Sequence, residues 1–464
     1  MLLLLRFKNK KIKHMLPDIQ LLPLLTGILS SAKIAQLTDI LYCFMCAQYG
    51  ITVRGLSRYS TYSLRSWFRF LKQTYPWVQI RAILFKHYIY QPGGGYLISI
   101  DEVVEGKSRN KTYGIGRFWS GVQKRPVMGI CIFVLSLIDI SSRRSYTLAA
   151  EQVVFSEADK ARIARQKQKV QEGKKRTASG NRLASGRKAG TKNKPEAEPD
   201  NASFRAFMCL LKVVMATLNS IIPNMIIPYM VADGKYASKH YITAIRQATL
   251  HLITRLPVNA ALRLPYTPAS GARKTRRKYA QKVDLHDLDQ NWLKETRTEG
   301  DCRIQIYELS CYNPKIYAQL LRVVIVKTDN IKTKKAKFAL FACTHPNLDW
   351  QTLLDYYSLR FQIEFDFRDA KQFFGLSDFK NYCPQNVTNF INLCFLATLV
   401  ARIFQQLHRQ KHNNPYYSIA DLKTLFHARF IVKNAIKLLQ KSPESIFLHN
   451  FADQFLPPNR IHAA

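Results

Sequence analysis

Three acidic residues occupy positions from which they could do chemistry together. Asp101 closes the apolar run Tyr96-Leu97-Ile98-Ser99-Ile100, and Asp233 closes Tyr229-Met230-Val231-Ala232. Glu364 lies within a helical run, and the separations Asp101–Asp233 and Asp233–Glu364 are 132 and 131 residues. Two strand ends present side chains at a common sheet edge, and a helix crossing that edge can bring a third carboxylate. Three such groups at one point repel one another unless a divalent cation neutralises them, and hard oxygen donors select Mg²⁺ or Mn²⁺. Two ions a few ångströms apart stabilise the attacking and leaving oxygens of an in-line phosphoryl displacement. The competing explanation for a strand-end acid is a cap or a salt bridge.

The helix around Glu364 sharpens the pattern. Tyr357, Arg360, Glu364 and Lys371 follow one another at intervals of 3, 4 and 7 residues, which puts all four on one face of an α-helix. A carboxylate flanked by two cations and a phenol can hold metal, phosphate oxygens and a nucleobase side by side. An ordinary ion-pair face is the plainer reading. Asp366, Arg368 and Asp369 on the same helix keep charge alone from picking out the functional face.

These residues sit in a chain whose charge points the same way. Of its 464 residues 70 are Lys or Arg and 31 are Asp or Glu, a formal charge of +39. So cationic a chain calls for a polyanionic partner, with nucleic acid ahead of an anionic membrane surface. The 47% hydrophobic content, with 26 Phe, 23 Tyr and 5 Trp, excludes a disordered basic tail as the whole protein. No stretch comes close to the ~18 apolar residues of a membrane span, and the opening leucines meet Arg6 and Lys8 at once, unlike a secretory signal. The nine cysteines, an odd number, suit a reducing cytoplasm. Cys43 and Cys46, in an apolar helical run, read as core thiols rather than a zinc or redox pair.

Composition divides the chain. Residues 1–85 read as helices: Ala32–Tyr49, a short Val53–Tyr59, and Thr61–Gln73 capped by Ser60. In the last of these Leu64, Trp67, Phe68 and Leu71 form an apolar stripe and leave Arg65 and Arg69 outside. Such a helix after a tight turn fits a helix-turn-helix DNA reader, or equally a small bundle with a solvated basic face. Residues 93–250 form the first part of an α/β core, with strands at Tyr96–Ile100, Met128–Ile140 and Tyr146–Val154. Within it, 157–200 is a basic insertion expected to be disordered; its Ser185-to-Gly190 segment weakly resembles minor-groove arms. Residues 251–342 read as a β-rich insertion with basic loops, notably Arg276-Arg277-Lys278. Two long helices, 349–374 and 384–410, fill 343–410 and complete the core. A helical region, 411–464, ends the chain.

Tyr357-x2-Arg360-x3-Glu364-x6-Lys371 resembles, spacing for spacing, the Tyr-Arg-Glu-Lys (YREK) signature of bacterial insertion-sequence DDE transposases. Ile100-Asp101-Glu102 leading into Gly106-Lys107-Ser108 and Thr112-Tyr113-Gly114 resembles that group's first-aspartate block. Val231-Ala232-Asp233-Gly234-Lys235-Tyr236 resembles the second. The resemblance spans roughly 95–385 and leaves the basic stretch 157–200 unexplained.

It implies an RNase H-like catalytic core, a mixed sheet flanked by helices, with a strand-rich insertion. Asp101, Asp233 and Glu364 become the catalytic, metal-holding triad, with two Mg²⁺ (or Mn²⁺) ions. Arg360 and Lys371 grip phosphates near the transposon end, and Tyr357 contacts a phosphate or stacks on a displaced base. Arg65, Arg69, Arg276, Arg277 and Lys278 are further candidate DNA contacts, and Glu102 faces away from the site. The implied reaction is metal-dependent cleavage of transposon ends and strand transfer, cut-and-paste by way of a DNA hairpin. The DNA partners are terminal repeats and target, the acting unit is a homodimer, and the setting is the bacterial cytoplasm at the nucleoid, with no membrane. The alternatives are a catalytically inactive or domesticated DNA-binding relative, or an RNase H-like metal-dependent nuclease.

Overall fold

The computed structural model describes residues 19–107, 111–121, 123–178, 201–267 and 278–438. The N-terminal helices are α1 (Leu21–Leu25), α2 (Ser31–Cys46), α3 (Val53–Leu56), α4 (Leu64–Leu71) and α5 (Trp77–Tyr88), with a 3₁₀ turn at Ser57–Tyr59. The helix expected at Thr61–Gln73 is shorter, and its cap is Ser63, whose hydroxyl accepts from the Ser66 amide. Ser60 is taken up elsewhere: it bonds the buried carboxylate of Asp39 and accepts from the Trp67 indole at 3.0 Å. The buried face of the helix is Trp67, Phe70 and Leu71, while Phe68 is exposed.

The sheet begins with β1 (Tyr96–Gly106), β2 (Gly116–Ser120), β3 (Arg125–Asp139) and β4 (Arg144–Val153). After helices α6 (Glu157–Ala178) and α7 (Ala202–Ile221) come β5 (Tyr229–Ala232), α8 (Lys239–Gln247) and β6 (His251–Leu256). Then follow β7 (Arg263–Pro265), β8 (Tyr279–Lys282), β9 (Leu293–Glu299), β10 (Cys302–Asn313), β11 (Tyr317–Asn330) and β12 (Ala336–Cys343). Their order is β2-β3-β1-β5-β6-β12-β11-β10-β7-β8, with β4 on β3 and β9 on β10, one 12-stranded sheet. β1, β5 and β6 are parallel and the other pairs antiparallel. β12 pairs directly with β6, so the strands expected to form an insertion continue the central sheet.

Two expectations fail here for identifiable reasons. Residues Glu157–Ala178 are helical rather than disordered, because Ala, Lys, Arg, Gln and Glu are strong helix formers whatever their polarity. A capping exchange opens this helix: the Ser156 amide donates to Asp159 at 3.0 Å and the Asp159 amide to Ser156 Oγ at 3.1 Å. The rest of that stretch, including Ser185 to Gly190, lies outside the described residues, as do residues 439–464. Secondly, Ala202–Ile221 and Pro384–His412 are long and apolar enough to cross a membrane by length and composition. Mean hydropathy tolerates the Asn and Thr that break an unbroken apolar run. The second is a core helix, 94% of its apolar window being buried.

The closing helices are α9 (Trp350–Leu359), α10 (Gln362–Phe374), α11 (Pro384–His412) and α12 (Ile419–Leu438). α11 runs through the middle of a core that takes in α2, α4, α5, β1, β3 and β4. Buried polar groups tie it down. Arg81 donates to the Leu148 carbonyl and to Asn392, and Asn389 donates to the carbonyls of Leu71 and Gln73. Arg402 of α11 is paired with Asp366 and, at 2.8 Å, with Asp369 of α10. Asp366 also accepts from Ser136 at 2.7 Å, Ser145 at 2.9 Å and Thr147 at 3.1 Å. Lys423 of α12, 3% exposed, caps two helix ends, donating to Phe44 and Phe373 carbonyls at 2.8 Å each.

Arg402→Met takes the one cationic partner from the buried Asp366 and leaves Asp369 with Arg368 alone, and an unpaired buried charge costs about 3–5 kcal/mol. Denaturant unfolding should show a loss of that size, and a loss below about 1 kcal/mol would mean the triad of charges is not holding the helices. Burial pushes the Lys423 amine from its ordinary 10.5 down to about 7. Between those values the unfolded chain binds one more proton, so stability rises with pH at up to ~1.4 kcal/mol per unit from this group. Unfolding curves between pH 7 and 10 should differ in slope by that contribution between wild type and Lys423→Met; parallel curves would contradict it.

Candidate active site

β1 and β5 are paired in parallel up to Ile100↔Ala232, so Asp101 and Asp233 are the next residue on each strand. β1 does not stop there, as the sequence suggests, but continues to Gly106 on its antiparallel partner β3, with Asp101 opposite Val134. Asp101 therefore sits where the shorter strand runs out and the longer continues. Beyond Ala232 the chain turns into a 3₁₀ helix, Gly234–Tyr236, after Asp233. The turn needs glycine: a Cβ on Gly234 would lie 2.9 Å from the Arg255 carbonyl oxygen. The Thr254 hydroxyl donates to the Asp233 carbonyl at 3.1 Å and pins the turn to β6.

Side chains alternate along a strand, so Leu97, Asp101 and Glu105 share one face of β1. Leu97 packs with Val231, Ile253, Leu353 and Leu359, which places α9 over that face. The helix expected to run unbroken over 349–374 is divided at Arg360-Phe361. There the amides of Arg360, Phe361, Ile363 and Glu364 each bond the carbonyl three residues back, at 3.1–3.4 Å, a tightened 3₁₀ turn. The turn delivers Arg360 to both acids at once: its guanidinium is 3.6 Å from Asp101 and 3.0 Å from Glu364.

Burial is the main influence on Asp101, raising its carboxyl from 3.8 to about 6. The Glu102 amide, which donates to Asp101 at 2.8 Å, and Arg360 pull in the other direction, and Asp233 pushes the value up again. Asp101 and Asp233 are thus close enough to feel each other's charge. Tyr357 lies against Phe341, with ring centroids 4.8 Å apart, and burial raises its phenol above the ordinary value.

The other candidate residues fall in three places. Lys371 is on the same side of the sheet, paired at 2.5 Å with Glu105, which also accepts from Ser377. Glu102 points away from this face and pairs with Lys235 at 2.7 Å. Arg65 and Arg69 are exposed on α4 and make no contact with these carboxylates, while the opposite face of α4 packs into the main core. Lys278 is exposed beside β8, and Arg276 and Arg277 lie outside the described residues. Glu105 belongs to no motif in the sequence. Reading β1 at period two through Asp101 would have found it as the counter-charge of Lys371.

Carboxylate oxygens are the donors that Mg²⁺ and Mn²⁺ select, and those of Asp101 and Glu364 already share one cation, Arg360. The donor chemistry fits a divalent ion. Among the described residues, no three acidic, His or Cys groups stand around a single point in this arrangement; the guanidinium is what lies between Asp101 and Glu364.

No curated protein matches the chain. Residues 23–308 match the family described as DDE superfamily endonuclease, a stretch that takes in the N-terminal helices and the strands bearing Asp101 and Asp233 and ends before Glu364. That match covers more than half of the chain, and the large mixed sheet flanked by helices is the RNase H-like architecture of such nucleases. The chain belongs to the DDE superfamily endonuclease family, a transposase-like group acting on DNA.

Proposed function

We propose that this endonuclease is a DNA transposase of the YREK group, which cuts at the ends of its element and joins them to a target by way of a hairpin. The observation that carries the reading is the register of β1 and β5, which brings Asp101 and Asp233 side by side, together with the link from Asp101 to Glu364 through Arg360. Asp101, Asp233 and Glu364 are the residues that would hold Mg²⁺ or Mn²⁺. A bound divalent pair would supply charge stabilisation to the attacking and leaving oxygens of a phosphodiester.

The protein's own residues do the rest. Arg360, mostly buried beside two carboxylates, is positioned to take a phosphate oxygen of the strand to be cut, and Lys371, two turns beyond Glu364 on α10, to take another. Arginine presents a planar fork suited to that contact. Tyr357, packed at a tilt against Phe341, offers a ring to a displaced base. Burial around Asp101 keeps bulk water away from the reacting phosphate and strengthens each charge that remains. The acting species is a homodimer, one protomer for each element end. Arg65 and Arg69 read the terminal sequence from the exposed side of α4.

Asp101→Asn, Asp233→Asn and Glu364→Gln each remove a metal-binding oxygen with little change in volume. Incubation with duplexes carrying the element's ends and Mg²⁺ should give no cleavage in any of the three, with gel-shift affinity kept. Cleavage within about tenfold of wild type would take that residue out of the site.

One good guanine contact by arginine is worth ~1–3 kcal/mol of discrimination. Arg65→Ala with Arg69→Ala should therefore erase sequence preference while pre-nicked ends are still cut. An unchanged footprint on terminal DNA would instead assign α4 to packing alone.

A further inference from the structure

Helix α6 leaves the sheet at the same end as the candidate carboxylates. β1 and β4 both run antiparallel to β3, so they point the same way, and Asp101, Val134 and Ala150 are level across the three strands. β4 continues to Val153, opposite Cys131, itself opposite Val104. β4 thus ends about 10 Å to the side of β1, two strand spacings away, and the helix begins four residues later, at Glu157. Its 22 residues make it ~33 Å long.

Its first turn is clamped. The carboxylate of Asp159, 2% exposed, accepts from the amide and hydroxyl of Ser156 at 3.0 and 2.9 Å. It pairs with Arg162 at 3.0 Å and with Arg205 of α7. Past the clamp the helix packs on almost nothing: from Lys160 to Gly173 every residue is exposed except Ile163, which is half-buried, and Val170 is 58% exposed. Lys160 and Arg162 have acidic partners within the helix. Arg165, Lys167 and Lys169 have none among the described residues, and Glu172 is the one acid beyond the clamp on the described part of the helix.

A helix polar on all sides draws no stability from packing, yet this one is rooted by a buried carboxylate and points cations outward from the active-site end of the sheet. It has no apolar face to bury in a lipid interface or in a protein groove. Its complement is a polyanion. We propose that α6 is a rail for duplex DNA, its cations lying along the phosphates of the flank next to the cleavage site without reading sequence. The proposal rests on the DNA-cutting role of the carboxylate site. It adds a contact that neither the resemblance nor the family assigns.

The test is the combined variant Arg165→Gln, Lys167→Gln and Lys169→Gln, in which glutamine preserves helix propensity. Binding to a duplex of arbitrary sequence should weaken, and the slope of log affinity against log salt should fall by up to ~2.7, at about 0.9 for each phosphate no longer neutralised. Cleavage at saturating DNA should be unchanged, because none of the three touches the carboxylate site. A photo-crosslinker on Val170→Cys should mark the duplex flank in the full-length protein. An unchanged salt slope overturns the proposal, and so does a loss confined to RNA. Cleavage by wild type with an unaltered slope in the variant removes the rail alone. A normal loss of slope in a protein that never cleaves removes the transposase reading and leaves the rail.

Discussion

The arrangement depends on a buried ionic knot. Arg402, near the middle of α11, holds Asp366 and Asp369 on α10, while three hydroxyls from β3 and β4 donate to Asp366. A lone buried carboxylate would be intolerable, but this one is surrounded by donors in fixed directions. It can be satisfied in only one rotation and one height of α10 over the sheet. That constraint, more than apolar packing, which tolerates small slides, sets where the residues just before it in the chain fall. With Asp366 held in this way, Arg360 comes within reach of both Asp101 and Glu364.

The same logic explains how charge is distributed along β1. Asp101, Glu102 and Glu105 each meet a cation from a different element: Arg360 from the turn before α10, Lys235 from the turn after β5, and Lys371 from α10. In a chain of formal charge +39 a strand carrying three acids is an attractor for several basic segments, and it orders the turns around it. The face bearing Asp101 and Glu105 is served by α10, and the opposite face by Lys235.

Much of this was legible in the sequence, for physical reasons. Tyr229–Ala232 is a short apolar run that turns at Asp233, and the strand has those bounds. The positions of β3, β4 and β11 follow from β-branched and apolar runs too long to be turns. What could not be read were features set by partners distant in sequence. β1 continues past Asp101 because β3 extends to pair with it. Nothing local distinguishes the break at Arg360-Phe361, whose backbone stays in the right-handed helical region. The short strands β2, β7 and β8 lack alternation, and β9, Leu293–Glu299, is almost wholly polar. It is a strand because β10 offers it an edge. Ser60 looked like a helix cap because the sequence does not reveal that Asp39 has prior claim on its hydroxyl.

The long antiparallel ladder between β1 and β3 has a consequence for how this chain can vary. Its residues pair without interruption from Tyr96↔Asp139 to Gly106↔Gly129. Inserting or deleting one residue within either strand exchanges its two faces from that point on. In β1 the effect would put Glu102 where Asp101 stands and turn its partners toward the wrong elements. A change of length within the ladder is therefore far more disruptive than one outside it. Among descendants of one ancestral gene, the spacing from Tyr96 to Gly106 should be the least elastic part of the chain, even where the individual apolar residues have been exchanged.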